Sequence, residues 1–159
     1  FVNVGYHKDA FLHYHDLGPK LPSLMKFMKR VSTGKQNDFS LRNFSYEKDI
    51  NKDGKIDQVL KPIQTLLVQI VKEPISTKGP RISSEISFAG RYLVLVPFSN
   101  RISISQKIES RDEKDRLKRL VKSIAPKGFG VIIRTVAQGQ KVAELDRDMQ
   151  NLVFLRFWW

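Results

Sequence analysis

Arg134 and Thr135 end an apolar run in KGFGVIIRTVAQGQ, with glycines on both sides. A guanidinium offers a planar fork that grips phosphate bidentately, and a threonine hydroxyl adds one donor. Glycines let the backbone approach such a ligand closely. The same pair is also an ordinary way to finish a strand, so spacing alone leaves both readings open. Phe1 and Phe11 fall on successive extended stretches around a turn, which allows their rings to be neighbours. Lys78 sits in the glycine-bearing turn STKGP. Together they have the makeup of a surface for unpaired nucleobases: bases stack on rings at about 1–3 kcal/mol each while a cation follows the phosphates. Phenylalanine is usually buried, and the core reading stands beside this one.

Two further patterns invite a metal. His7, His13 and His15 lie close in sequence, with His13 and His15 on one strand face and Asp16 adjacent. A metal site takes three or four convergent ligands, and His-x-His gives two, so hydrogen-bonded or solvated histidines are the better reading. DINKDGKID places Asp49, Asn51, Asp53, Gly54 and Asp57 at loop positions 1, 3, 5, 6 and 9 of a calcium-binding hand. Position 12, which needs a bidentate carboxylate, is Leu60, and Pro62 stands where an exit helix would run. Asp and Asn alternating before Gly also suit a polar turn that satisfies its own backbone, and a turn is expected. The chain shows no nucleophile elbow and no Walker loop. No catalytic residue and no metal ligand are assigned in it.

The elements that must position these residues follow from period and punctuation. Two short strands, Phe1 to Val4 and Ala10 to Tyr14, open the chain around a turn. Leu24, Phe27, Met28 and Val31 follow the i, i+3, i+4, i+7 spacing of an amphipathic helix with Pro22 in its first turn and Lys26, Lys29 and Arg30 on its other face. Ser32 to Asp57 is polar and turn-rich and reads as a long loop. A strand is expected over Thr65 to Glu73. RYLVLVPF and RISISQKI read as two strands about a tight Ser-Asn turn. Ser110 and Glu113 have capping-box spacing. The helix behind them buries Leu117, Leu120, Val121 and Ile124, pairs Asp112 with Arg116 and Asp115 with Arg119, and stops at Pro126 and Gly128. GVIIRT is a further strand, and Leu145, Met149, Leu152 and Val153 start a last helix. The result is two small units, with a boundary near residues 84 to 89.

Bulk properties narrow the partners. Apolar residues make up 41% of the 159, enough for a core. Against 16 Asp and Glu stand 28 Lys and Arg, a net charge of +12 that favours a polyanionic partner. The absence of cysteine excludes disulfides, thiolate metal sites and cysteine nucleophiles, and suits the cytoplasm. The longest apolar runs, LLVQIV and YLVLVPF, are far short of the ~20 residues of a membrane span.

FVNVGYHKDAFLHYHDLG, LLVQIVKEPISTKGPRISSEISFAGRYLVLVP and PKGFGVIIRTVAQG together resemble the ribonuclease E/ribonuclease G family of bacterial endoribonucleases, in order from residue 1 to about residue 153. The resemblance implies a mixed fold. Residues 1–86 would be an S1 domain, a mostly-β OB-fold lacking its first strand and carrying an insertion at about 17–60. Residues 87–159 would be a small, truncated α+β 5′-sensor domain. Phe1 and Phe11 match the aromatic positions of the S1 surface, and Lys78 its basic one. Arg134 and Thr135 match the pair that holds an RNA 5′-monophosphate, and Gly90 and Val94 match residues lining that site. Lys107 stands where the family commonly has arginine, keeping the charge and losing the fork.

By the same resemblance the chain is the RNA-recognition portion of an endoribonuclease of RNA processing and decay. It would bind single-stranded RNA, with no DNA partner and no membrane span, in the cytoplasm. A stand-alone RNA-binding module without nuclease activity is the alternative. The catalytic aspartates with their Mg²⁺, and the Cys-based Zn²⁺ link through which the full-length protein forms homo-oligomers, would lie beyond residue 159. The chain is expected to be a fragment, with FLRFWW departing from the charged helix found there in the family.

Overall fold

The computed structural model describes residues 1–35 and 41–155. The chain is mixed α/β and divides into two compact units. The first comprises Phe1–Asn37 and Ser45–Ile86, the second Asp38–Phe44 and Ser87–Trp159.

In the first unit, α1 (Leu21–Ser32) follows the expected period, with Pro22 in its first turn and Leu21, Leu24 and Phe27 buried. A single turn, α2 (Ile56–Val59), lies in the loop region. The sheet is small: β1 (Gln69–Lys72) pairs antiparallel with β2 (Arg81–Ser83). Around it Ala10, Leu12, Leu17, Leu21 and Ile82 form a buried cluster, against which Val2, Val4 and Val68 pack. The described residues form no closed barrel.

Three expectations for this unit need correction. Phe1 to Val4 and Ala10 to Tyr14 are not strands; they meet in one bridge, Val2 to Ala10, closed by two backbone bonds of 2.9 and 2.8 Å. Phe11 turns to the other side, donating to the Pro80 carbonyl at 2.8 Å and accepting from Ile82 at 3.0 Å. The chain then leaves extended geometry because the His13 Nδ1 accepts from the His15 N–H and caps a 3-10 turn over Tyr14–Leu17. The strand expected over Thr65 to Glu73 is confined to Gln69–Lys72.

The second unit holds a four-stranded sheet in the order β3 (Phe88–Ala89), β4 (Leu93–Pro97), β6 (Phe129–Ile133), β5 (Ile102–Ile104). RYLVLVPF and RISISQKI do form strands, β4 and β5, yet they do not pair with each other. Strand β6 lies between them, antiparallel to β4 and parallel to β5. Phe129, Val131 and Ile133 are buried, and an apolar run of this kind takes the central place in a sheet. The parallel pair is joined by α3 (Arg111–Ile124), as a crossover requires. Ser110 caps α3 by accepting from the Glu113 N–H. Arg116 pairs with Glu113 instead of Asp112, because the Gln140 carbonyl draws its guanidinium to that side. Helix α4 (Val142–Leu155) buries Leu145, Met149 and Leu152. Leu41 and Phe44, from the polar loop, are buried in this unit, where the Phe44 ring meets Phe98 at 5.6 Å. The end of the FLRFWW segment, residues 156–159, lies outside the described residues.

Candidate functional site

Two clusters of sequence-predicted residues assemble, one in each unit. In the second unit, β6 alternates: Val131 and Ile133 are buried while Ile132 is exposed, and Val94 of β4 is its cross-strand partner. Arg134 keeps an extended backbone one step further along and points outward with Ile132. Its N–H donates to the Tyr92 carbonyl at 2.9 Å, which fixes the end of the strand. Its Nη1 donates to the Gly90 carbonyl at 2.7 Å. Thr135 opens a 3-10 turn, and its hydroxyl lies 2.8 Å from that of Ser105, just beyond β5. The Lys107 N–H reaches the same Ser105 hydroxyl at 3.4 Å. Gly90 and Arg134 are thus joined directly, while Thr135 follows Arg134 in the chain and is tied to Ser105. Val94 shares the sheet face, and Lys107 joins the group through Ser105.

Guanidinium groups carry five donors. Arg134 commits one to Gly90, and among the described residues its other side-chain N–H groups have no protein acceptor. A fork free along one edge and steadied along the other is suited to an anion with two oxygens to offer.

Asp148, on α4, was not singled out by the sequence. Its carboxylate accepts from three successive backbone N–H groups, Arg91 at 3.0 Å, Tyr92 at 2.8 Å and Leu93 at 2.9 Å. It also crowds Gly90, where an added Cβ would lie 2.7 Å from both carboxylate oxygens. Asp148 thus sets the turn whose Gly90 carbonyl holds Arg134. A lone Asp within an amphipathic helix carries no local mark of such a role; only the fold brings residues 91–93 to it.

The first unit brings Phe1 and Phe11 together with ring centroids 5.8 Å apart. They are 89% and 45% exposed, so neither belongs to the core. Lys78 lies in a turn closed on Ile75, and the Pro80 carbonyl just after it takes the Phe11 N–H. A Cβ at Gly79 would collide with the Asp9 carbonyl, so glycine lets this turn lie against the segment that leads to Phe11. Among the described residues the Lys78 ammonium has no ion-pair partner. Nearby, Arg81 engages Asp16 through two bonds of 2.9 Å, which holds the carboxyl below its usual range.

DINKDGKID is a turn. Asp49 is paired with Lys20 at 2.7 Å, the Asn51 carboxamide accepts from the Asp53 N–H, and the Asn51 carbonyl accepts from Gly54. Among the described residues no three His, Cys, Asp or Glu side chains are grouped to hold a metal. No described helix is long and apolar enough to cross a membrane.

The chain is thus mixed α/β, with a steadied arginine fork in one unit and exposed paired rings in the other. Comparison with known proteins places it. Residues 87–157 match the ribonuclease E/G family. The chain is 36% identical over 152 residues to ribonuclease G of Escherichia coli (strain K12), covering 96% of this chain and 27% of that protein. Ribonuclease E of Synechocystis sp. is 33% identical over 153 residues, with 96% and 19% covered. Ribonuclease G of Haemophilus influenzae is 34% identical over 152 residues, with 96% and 27% covered. The chain belongs to the ribonuclease E/G family. It spans 27% or less of the length of these relatives.

Proposed function

We propose that this chain is the RNA-recognition portion of a ribonuclease E/G-type endoribonuclease of RNA processing and decay, an S1-type unit followed by a 5′-sensor unit. The convergence of Arg134, Gly90 and Thr135 within the family-matched region carries the reading. The free edge of the Arg134 fork takes two oxygens of an RNA 5′-monophosphate. Thr135 adds a hydroxyl donor when its own oxygen accepts from Ser105. Val94 and Gly90 line the site, and Lys107 adds positive charge beside it. Phe1 and Phe11 stack unpaired bases, with Lys78 on the adjoining phosphates. The net charge of +12 supports a polyanionic partner.

In this proposal the catalytic aspartates with their Mg²⁺, the Cys-based Zn²⁺ link and homo-oligomerisation belong to the full-length protein, in the cytoplasm.

Fluorescence anisotropy with single-stranded oligonucleotides that differ only at the 5′ end tests the reading. The 5′-monophosphorylated strand is expected to bind more tightly than the 5′-hydroxyl strand. Equal affinity would contradict the sensor assignment.

A further inference from the structure

Phe1 and Phe11 are not an isolated pair. From Phe11 the rings continue to His13, with centroids 6.3 Å apart, and from His13 to His15 at 5.0 Å. All four side chains are exposed, and all belong to the first unit. We infer that His13 and His15 extend the stacking surface into a four-ring track that takes further unpaired bases of an RNA strand. The inference rests on the proposed role of Phe1 and Phe11.

Three observations carry it. First, ring-to-ring steps of 5.0 to 6.3 Å exceed the ~3.4 Å rise of stacked bases. A strand following the track has its bases splayed, which is the state in which aromatic side chains read RNA. Second, the His13 ring at the centre of the track is held in place. The His13 Nδ1 accepts from the His15 N–H at 3.2 Å, so the cap that starts the 3-10 turn also orients the imidazole. Third, the acid next to His15 in the chain is occupied. Asp16 follows His15 directly, and its two oxygens are both engaged by Arg81. A carboxylate so neutralised repels an approaching phosphate far less than a free one.

The test separates the track from the pair. Affinities of the full chain are measured for 5′-hydroxyl oligouridylates of increasing length, which leave the sensor site out of the comparison. His13→Asn with His15→Gln removes both rings, and the Asn keeps an acceptor for the capping bond. This variant is expected to bind long oligomers about fivefold or more weakly and to reach its affinity plateau at a shorter length. His13→Phe with His15→Phe keeps the rings without imidazole and is expected to retain the wild-type affinity and plateau. Unchanged affinity and plateau in the Asn/Gln variant, alongside weakened binding by Phe11→Ala, would overturn the extension and leave the pair standing. Loss of binding in the Phe/Phe variant, with an unchanged melting temperature, would also overturn it, since the rings would then not act by stacking. If Phe11→Ala changes nothing, the stacking reading itself fails and the track with it.

Discussion

Arg134 and Gly90 are 44 residues apart in sequence, and the arginine Nη1 donates to the glycine carbonyl at 2.7 Å. The contact exists because Asp148 holds the Gly90 turn from the other side through three backbone N–H groups. Asp148→Ala leaves those donors without their acceptor. A stability loss of about 2 kcal/mol is expected, since removing a half-buried charged acceptor strands its partners. The 5′-monophosphate preference should fall with it, and Asp148→Asn should lie between the two. Thermal melting and the two-oligonucleotide comparison together check this; a stable Asp148→Ala chain with full preference would contradict it.

Gly90→Ala makes a sharper demand. The new methyl group would lie 2.7 Å from both Asp148 oxygens, and the carboxylate cannot withdraw without releasing its backbone donors. The substitution should destabilise by about 1–3 kcal/mol. Combined with Asp148→Ala it should add much less than its separate effect, because neighbouring residues that share one interaction are not additive. Strict additivity in a double-mutant cycle would show that the two residues act independently.

Glu113 predicts an acid-sensitive second unit. The Arg116 guanidinium, with the Gly139 N–H, holds its carboxyl down to about 2, against an ordinary value of 4.5. A depressed pKa contributes stability that is present above the ordinary value and lost as pH falls towards the folded one. Melting temperature should therefore drop between pH 4.5 and 2, and Glu113→Gln should remove part of that dependence. Identical pH profiles for the two proteins would contradict the assignment.

Ser110 closes the N-terminus of α3 by accepting from the Glu113 N–H at 3.3 Å. Ser110→Ala should lower stability by about 1 kcal/mol, and Ser110→Asp should restore it, because an acid at this end also meets the helix dipole. Chemical denaturation of the three proteins measures both.

Helices were the most legible part of the fold. The spacing of Leu24 and Phe27, and of Leu117 and Val121, marks one buried face each, and Pro22 in the first turn of one and the Ser110 cap of the other mark their starts. Strand pairing was less legible. Nothing in RYLVLVPF or RISISQKI says that β6 will separate them, since order in a sheet depends on how all its apolar runs pack together and not on any one of them. The short strands expected at the start of the chain gave way to a bridge and a capped turn, where a side-chain bond from His13 outweighed local extended propensity. At the site, Arg134 with Thr135 and Phe1 with Phe11 were readable as pairs from residue type and spacing. Asp148 and Ser105 were not, because their roles depend on contacts 55 and 30 residues away.

The most direct measurement is the ratio of affinities for 5′-monophosphorylated and 5′-hydroxyl single-stranded RNA, taken for the wild-type chain, Arg134→Ala and Arg134→Lys. A charged hydrogen-bonded contact is worth about 1.5–3 kcal/mol, so a wild-type ratio of about tenfold or more is expected. Arg134→Ala should bring it close to one. Arg134→Lys should restore little of it, because an ammonium supplies charge without the fork. A ratio near one in the wild type, or a full ratio surviving in Arg134→Ala, would contradict the account.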